Sequence, residues 1–311
     1  MFQIYLPIAE IPVNILLVLL LGLSAGLLAG MFGIGGGFLA TPFLMFIGIP
    51  PAIAVSTSTN QIIAASVSGL LAQLRKGNVD IKMGLFLVLG GFFGSSFGVS
   101  IFRLLQKSGH IDIVIALVYV VFLGTISITM LVDSVRTLMA KKYGIIWEKK
   151  SDSNISKFLQ RIDNLPWQIH FHKSDISVSI LVPIILSVGI GILVSLMGIG
   201  GGFLMIPAMI YILRMPSSLV VGTSLFQIVF IASNATFLQA ITTNNVDIVL
   251  AFLMIISSAI GAQIGTRLGY KLDADSMRSF LALLLLGVCI KMTFLLFTEP
   301  SNLYMIEVLK R

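Results

Sequence analysis

Two runs of glycine carry the strongest chemical signal in this chain of 311 residues: Gly33-Ile34-Gly35-Gly36-Gly37-Phe38-Leu39 and Gly198-Ile199-Gly200-Gly201-Gly202-Phe203-Leu204. Each glycine costs about 1 kcal/mol relative to alanine inside a helix, so a helix must stop at both places. A helix that restarts directly afterwards presents unbonded N–H groups and the positive end of its dipole, which together hold negative charge. The candidate donors are the N–H groups of Gly35, Gly36, Gly37 and Phe38, and of Gly200, Gly201, Gly202 and Phe203. Glycines that serve packing alone recur every fourth residue on a helix face, whereas these are consecutive.

A second candidate set lies downstream of each glycine run. Ser56 to Gln61 form an unbroken polar stretch inside an apolar segment, and Thr57, Ser58 and Gln61 reappear as Thr223, Ser224 and Gln227. A single buried Ser or Thr most often bonds back to its own helix. The repetition of the set is what marks it as a substrate-binding candidate. Asn234 and Gln239 have no clear counterpart and are weaker candidates.

No Asp or Glu falls in the middle of an apolar segment, and Lys291 is the one basic residue that does. The intramembrane carboxylates usual in proton-coupled and cation carriers are therefore missing. Neutral donors suit a weakly hydrated or oxygen-rich anion. Asp80 and Asp247, matched at helix starts, read as N-caps. Catalysis finds no footing: His110, His170 and His172 make no metalloprotease run or Ser-His pair, and His170 and His172 read as a solvated pair. No cofactor and no metal is indicated, and the lone Cys289 reads as packing. A phosphate-loop reading fails because neither glycine run follows a strand or ends in Gly-Lys-Ser/Thr.

The elements that position these residues follow from composition. With 57% hydrophobic and 11% charged residues, the chain lies far from soluble domains, in which about a quarter of residues are charged. Apolar windows of about 20 residues imply an all-α integral membrane protein and not a barrel. The net charge of +7 sits in the connections between spans, where topology alone demands it, so nucleic acid is not a partner; the bilayer is. Residues 1–12 lack a positive n-region, so the first apolar segment is expected to be retained. It runs as a helix from Pro12 to about Met31.

Besides the glycine run, Asn78-Val79-Asp80 returns as Asn245-Val246-Asp247, and Gly94 and Gly98 return as Gly261 and Gly265. Ordered matches of this kind indicate duplication. The expected organisation is an N-terminal transmembrane repeat at 1–135, a basic cytoplasmic linker at 136–176 with a surface helix near 155–162, and a C-terminal transmembrane repeat at 177–311. The short segments after the glycine runs allow two topologies. If they cross, each half has about five segments, the halves are inverted, and about fifteen of the 20 Lys and Arg face the cytoplasm. If they re-enter, four spans per half result, and Arg214, Arg267, Lys271 and Arg278 move outside. The charge count favours the inverted arrangement.

The paired Gly-x-Gly-Gly-Gly runs, each followed by a proline (Pro42, Pro207) and a Thr-Ser-x-x-Gln run, resemble the sulfite exporter TauE/SafE family, also grouped as the 4-toluene sulfonate uptake permeases. The resemblance covers nearly the whole chain except residues 133–177. It implies a multi-pass permease of the bacterial inner membrane, not an enzyme, that moves sulfite, a sulfonate or a related anion. It marks Gly33, Gly35, Gly36, Gly37, Pro42, Thr57, Ser58 and Gln61, with Gly198, Gly200, Gly201, Gly202, Pro207, Thr223, Ser224 and Gln227. Alternatives are a carrier of another small anion, or a non-transporting scaffold that presents the basic linker. The anion, the direction of transport, a coupling ion and the oligomeric state are not written in the residues.

Overall fold

The computed structural model describes residues 3–143, 166–268 and 274–297. A hairpin of β1 (Gln3–Leu6) and β2 (Ile11–Asn14) leads into α1 (Ile15–Phe32), the short α2 (Gly37–Phe46), α3 (Pro51–Arg75), α4 (Ile81–Lys107) and α5 (Ile111–Tyr143). The same series then recurs: β3 (Gln168–Phe171) and β4 (Ile176–Ser179), then α6 (Leu181–Met197), the short α7 (Gly202–Tyr211), α8 (Ser217–Thr242), α9 (Ile248–Leu268) and α10 (Ala274–Phe297). Among the described residues, the long apolar segments are therefore helical. Five helices among the described residues are long and apolar enough to cross a membrane, α1, α4, α5, α8 and α9.

Two features depart from expectation. The first helix begins at Ile15, because the Asn14 side chain caps it by accepting from Leu16 N–H, and Pro12 stands in β2 opposite Tyr5. The ends of the region assigned to the linker are ordered elements: α5 runs to Tyr143, and β3 and β4 occupy 168–179. Both hairpins pair antiparallel with the same register, and Gln168, Ile169, Ile176 and Val178 repeat Gln3, Ile4, Ile11 and Val13. The surface helix expected near 155–162 lies outside the described residues.

The chain forms two compact units, one holding β1 to α4 and β3 to α9, the other α5 from Ile113 with α10. In the smaller unit, the Cys289 thiol donates to Val120 O at 3.5 Å and packs beside Gly124, the structural use expected of it.

Within the larger unit, the fourth-residue glycines act as close-approach surfaces. On α1, an added Cβ at Gly26 or Gly30 would lie 2.2 Å from Ser258 O or Ala262 O of α9. On α4, one at Gly94 would lie 2.2 Å from Val188 O of α6. Where lipid solvates apolar side chains as well as protein does, backbone approach of this kind supplies the dispersion contact that holds helices together. Both pairs run parallel, and each joins one half to the other.

The corresponding helices α3 and α8 run antiparallel. From the C-terminal end of α3 backwards, Asn78 O touches Gly222, Gly69 touches Leu225, and the Thr236 hydroxyl donates to Thr59 Oγ1 at 2.8 Å. Helices α3 and α9 run parallel: the Ser258 hydroxyl meets Gln61 O, and farther along Ala72 and Thr266 line one cavity. Inverted halves require both relations. Four spans per half would make α3 and α8 parallel and set Arg75 and Arg267, which line that same cavity, on opposite faces.

Buried aspartates tie the halves together. Asp80 caps α4 by accepting from Met83 N–H at 3.1 Å, and Asp247 caps α9 by accepting from Val249 and Leu250 N–H at 3.1 Å each. Each also takes a bond from the hairpin of the other half: Ile8 N–H donates to Asp247 Oδ2 at 3.0 Å, and the Ser174 hydroxyl to Asp80 Oδ2 at 2.5 Å. The capping role read from the sequence is present, with a crosslink added to it.

Candidate functional site

The two glycine breaks are built alike. α1 ends at Gly33 (φ 70°, ψ 21°), whose N–H returns to Ala29 O, and α6 ends at Gly198 (φ 64°, ψ 27°), whose N–H returns to Val194 O. This left-handed residue just past the last turn is a common helix stop and suits glycine. Gly36 and Gly201, both at φ 70°, then precede the first residues of α2 and α7. Side chains at these positions would meet backbone strain.

The breaks meet each other. A Cβ on Gly37 would stand 2.4 Å from Gly198 O, and one on Gly202 would stand 3.0 Å from the Ile34 backbone. Phe38 and Phe203 stack one residue further on, with ring centroids 5.3 Å apart and planes 17° from parallel. Gly35 to Phe38 and Gly200 to Gly202 are buried, and Phe203 is half-buried. Two helix N-termini from opposite halves therefore converge on one buried place. On the second side the donors are not all free as expected, since Gly202 N–H closes a turn onto Gly200 O at 2.9 Å.

One face of α3 covers this place. Ser58, Ile62 and Ser66 follow at helical spacing: Ser58 Oγ reaches the Gly198 position, Ile62 presses on Gly35, Gly37 and Gly200, and Ser66 Oγ lies 3.6 Å from a Cβ built on Gly35. The Ser58 hydroxyl shares a 2.6 Å bond with Thr41 and also donates to Val55 O at 3.0 Å. Ser66 is fully buried, and its hydroxyl has no partner. From α8, Ile228, the counterpart of Ile62, reaches Gly35 and Gly202. Two isoleucines thus close over the joined breaks.

The remaining sequence candidates are placed elsewhere. Thr57 Oγ1 accepts from Asp247 N–H at 3.1 Å and Thr223 Oγ1 from Asp80 N–H at 3.0 Å, so both hydroxyls fasten the halves beside the aspartate crosslinks. The Ser224 hydroxyl bonds back to Val221 O at 2.9 Å. Gln227 donates to Ser187 Oγ at 2.8 Å, whereas both amide atoms of the fully buried Gln61 have no partner. Asn234 donates to Ser95 and Ser96 of α4, and Gln239 to Ser195 O of α6.

Thr41, Ile62, Ser66 and Ile228 were not legible as site residues. For the isoleucines a signal existed, since each follows a repeat-paired glutamine. Ser66 has Ala232 as its counterpart, so the repeat argument passes over it.

A family model described as "Sulfite exporter TauE/SafE" matches residues 18–292. Among curated proteins, the chain is 26% identical over 281 residues to "Probable membrane transporter protein YunE" of Bacillus subtilis, covering 88% of this chain and 95% of that one. It is 27% identical over 272 residues to "Probable membrane transporter protein YjnA" of the same organism, covering 86% and 96%. A shorter match, 30% identical over 118 residues, covers 37% of this chain and 26% of "Sulfite exporter TauE/SafE family protein 1" of Arabidopsis thaliana. No solved structure matches.

Proposed function

Because the chain belongs to the sulfite exporter TauE/SafE family, a family of multi-pass membrane transporters, we propose that it moves a small sulfur-containing oxyanion, such as sulfite or an organosulfonate, across the bacterial inner membrane by alternating access. The observation that carries this reading is the contact between the two glycine breaks at the N-termini of α2 and α7. Each N-terminus contributes about half a positive charge, so the pair offers roughly one, without any formally charged side chain. A tetrahedral or pyramidal head with several oxygens can take bonds from backbone N–H groups on both sides and from the unpartnered Ser66 hydroxyl. Low formal charge in the site also lets the ion leave again.

Alternating access is supported by the antiparallel course of α3 and α8, as expected of inverted halves that rock around a shared midplane site. Ile62 and Ile228 lie against the breaks. Entry of an anion requires both to move aside. On this reading the ion replaces the apolar contact of the two isoleucines with N–H donors.

Purified protein in liposomes loaded with sulfite, or with a short alkyl sulfonate, tests the proposal. Flux above protein-free liposomes is expected, with at least a tenfold loss in Gly36→Leu and Gly201→Leu variants that still fold. Absence of flux for both anions, or full flux in both variants, overturns it.

A further inference from the structure

A cavity of about 670 Å³ lies between the C-terminal ends of α3 and α9, away from the glycine breaks. It is lined by Leu71, Ala72, Arg75 and Lys76 of the α3 end and by Gln263, Thr266 and Arg267 of α9. Three cations thus converge on one space, beside the apolar Leu71 and Ala72 and the neutral donors Gln263 and Thr266. We propose that this cavity holds the headgroup of an anionic phospholipid of the cytoplasmic leaflet, with an acyl chain lying along the exposed faces of α3 and α9.

The apolar surface leading to the cavity has the shape that a lipid needs. On α3, Val67, Leu71 and Leu74 are exposed at helical spacing and end at Arg75; on α9, Ile256, Ile260 and Ile264 are exposed and end at Arg267. The α9 row spans roughly 16 Å from Ile256 to Arg267 at the helical rise per residue. Half of a bilayer core is about 15 Å. A chain anchored by its phosphate at the cations therefore runs the depth of one leaflet. A small soluble anion would use the cations alone and make no contact with the two rows.

The site is one-sided. In the matching place between α8 and α4, the positions of Arg75, Lys76 and Arg267 are taken by Ile241, Thr242 and Ser100, and Arg103 is the next cation along α4, about a turn further on. With α3 and α9 ending together on the face that the Lys and Arg distribution assigns to the cytoplasm, the cavity meets the leaflet where acidic lipids and basic pockets pair. The inference does not depend on what the protein carries.

The test measures thermal unfolding of purified protein in detergent micelles doped with phosphatidylglycerol, cardiolipin or phosphatidylcholine. Both acidic lipids are expected to raise the unfolding temperature, and phosphatidylcholine is not. Arg75→Gln/Arg267→Gln should weaken the apparent affinity for phosphatidylglycerol roughly thirtyfold, at about fivefold per cation, and Arg103→Gln should leave it unchanged. Equal effects of acidic and neutral lipid, or an unaltered response in the double variant, overturn the proposal. A rise produced by millimolar inorganic phosphate through the same two arginines also overturns it, in favour of a soluble-anion site. Should the double variant not fold, Arg267→Gln alone with native mass spectrometry of retained phosphatidylglycerol decides in the same way: loss of bound lipid supports the site, full retention refutes it.

Discussion

Adding one methyl group to Gly37 tests the contact on which the functional reading rests. The new Cβ would stand 2.4 Å from Gly198 O and 2.2 Å from Ile62 Cδ1. The side chain of Ile62 can turn away, but the carbonyl belongs to the opposite break, so the two breaks must separate by about 1 Å to reach ordinary contact. Overpacking of this size costs about 1–3 kcal/mol. The repeat-matched Gly202→Ala meets backbone only at 3.0 Å and otherwise the movable Ile228 Cδ1 at 2.6 Å, so its cost falls toward the lower end of that range. Gly189→Ala and Gly287→Ala meet nothing within 4 Å and should be neutral or gain up to about 1 kcal/mol from helix propensity. Thermal unfolding in detergent should therefore order the variants Gly37→Ala, Gly202→Ala, then the controls, from least to most stable. Sulfite flux in liposomes should fall in the same order. Ile62→Val removes Cδ1 but leaves Gly198 O in place, so it should rescue Gly37→Ala only in part. If Gly37→Ala unfolds with the controls, or if Ile62→Val rescues it fully, the breaks do not touch and the shared site is lost.

Two further outcomes follow from the crosslinks and the helix directions. Asp247→Ala removes an N-cap, worth about 0.5–2 kcal/mol, and orphans the part-buried Ile8 N–H, worth about 1–3 kcal/mol, so a loss of roughly 2–4 kcal/mol is expected in thermal unfolding. Asp247→Asn, which keeps one acceptor oxygen, should lose less. Ser174→Ala should cost nothing further in an Asp80→Ala background, because its hydroxyl has lost the carboxylate it serves; additive losses would sink the crosslink. If the halves are inverted with residues 144–165 in the cytoplasm, Thr243→Cys at the end of α8, in a Cys289→Ser background, should react with an impermeant thiol reagent from the face opposite the cytoplasm. Labelling only from the cytoplasm would contradict an inverted arrangement and favour four spans per half.

The membrane class, the helix breaks and the aspartate caps were legible in the sequence because each is a local property. Consecutive glycines stop a helix wherever they occur, a 20-residue apolar window has few fates in water, and an Asp before an apolar run satisfies its own helix. Repetition added one long-range statement, that the two breaks are equivalent. It could not add which of the paired residues meet. Thr57 and Thr223 matched as well as the glycines did, yet the fold directs them to Asp247 N–H and Asp80 N–H, where they fasten the halves. Ser66, with no match, stands at Gly35. The hairpins escaped notice because four-residue strands carry too little alternation to stand out beside 20-residue apolar runs. Tertiary structure alone decided the exchange of partners, α1 with α9 and α4 with α6, because glycine surfaces say how closely a helix can approach and nothing about which helix comes. It also brought Arg75 and Arg267, 192 positions apart in the chain, to one cavity. Chemistry at a helix end is written locally; the meeting of two such ends is a matter of packing, and only the folded chain contains it.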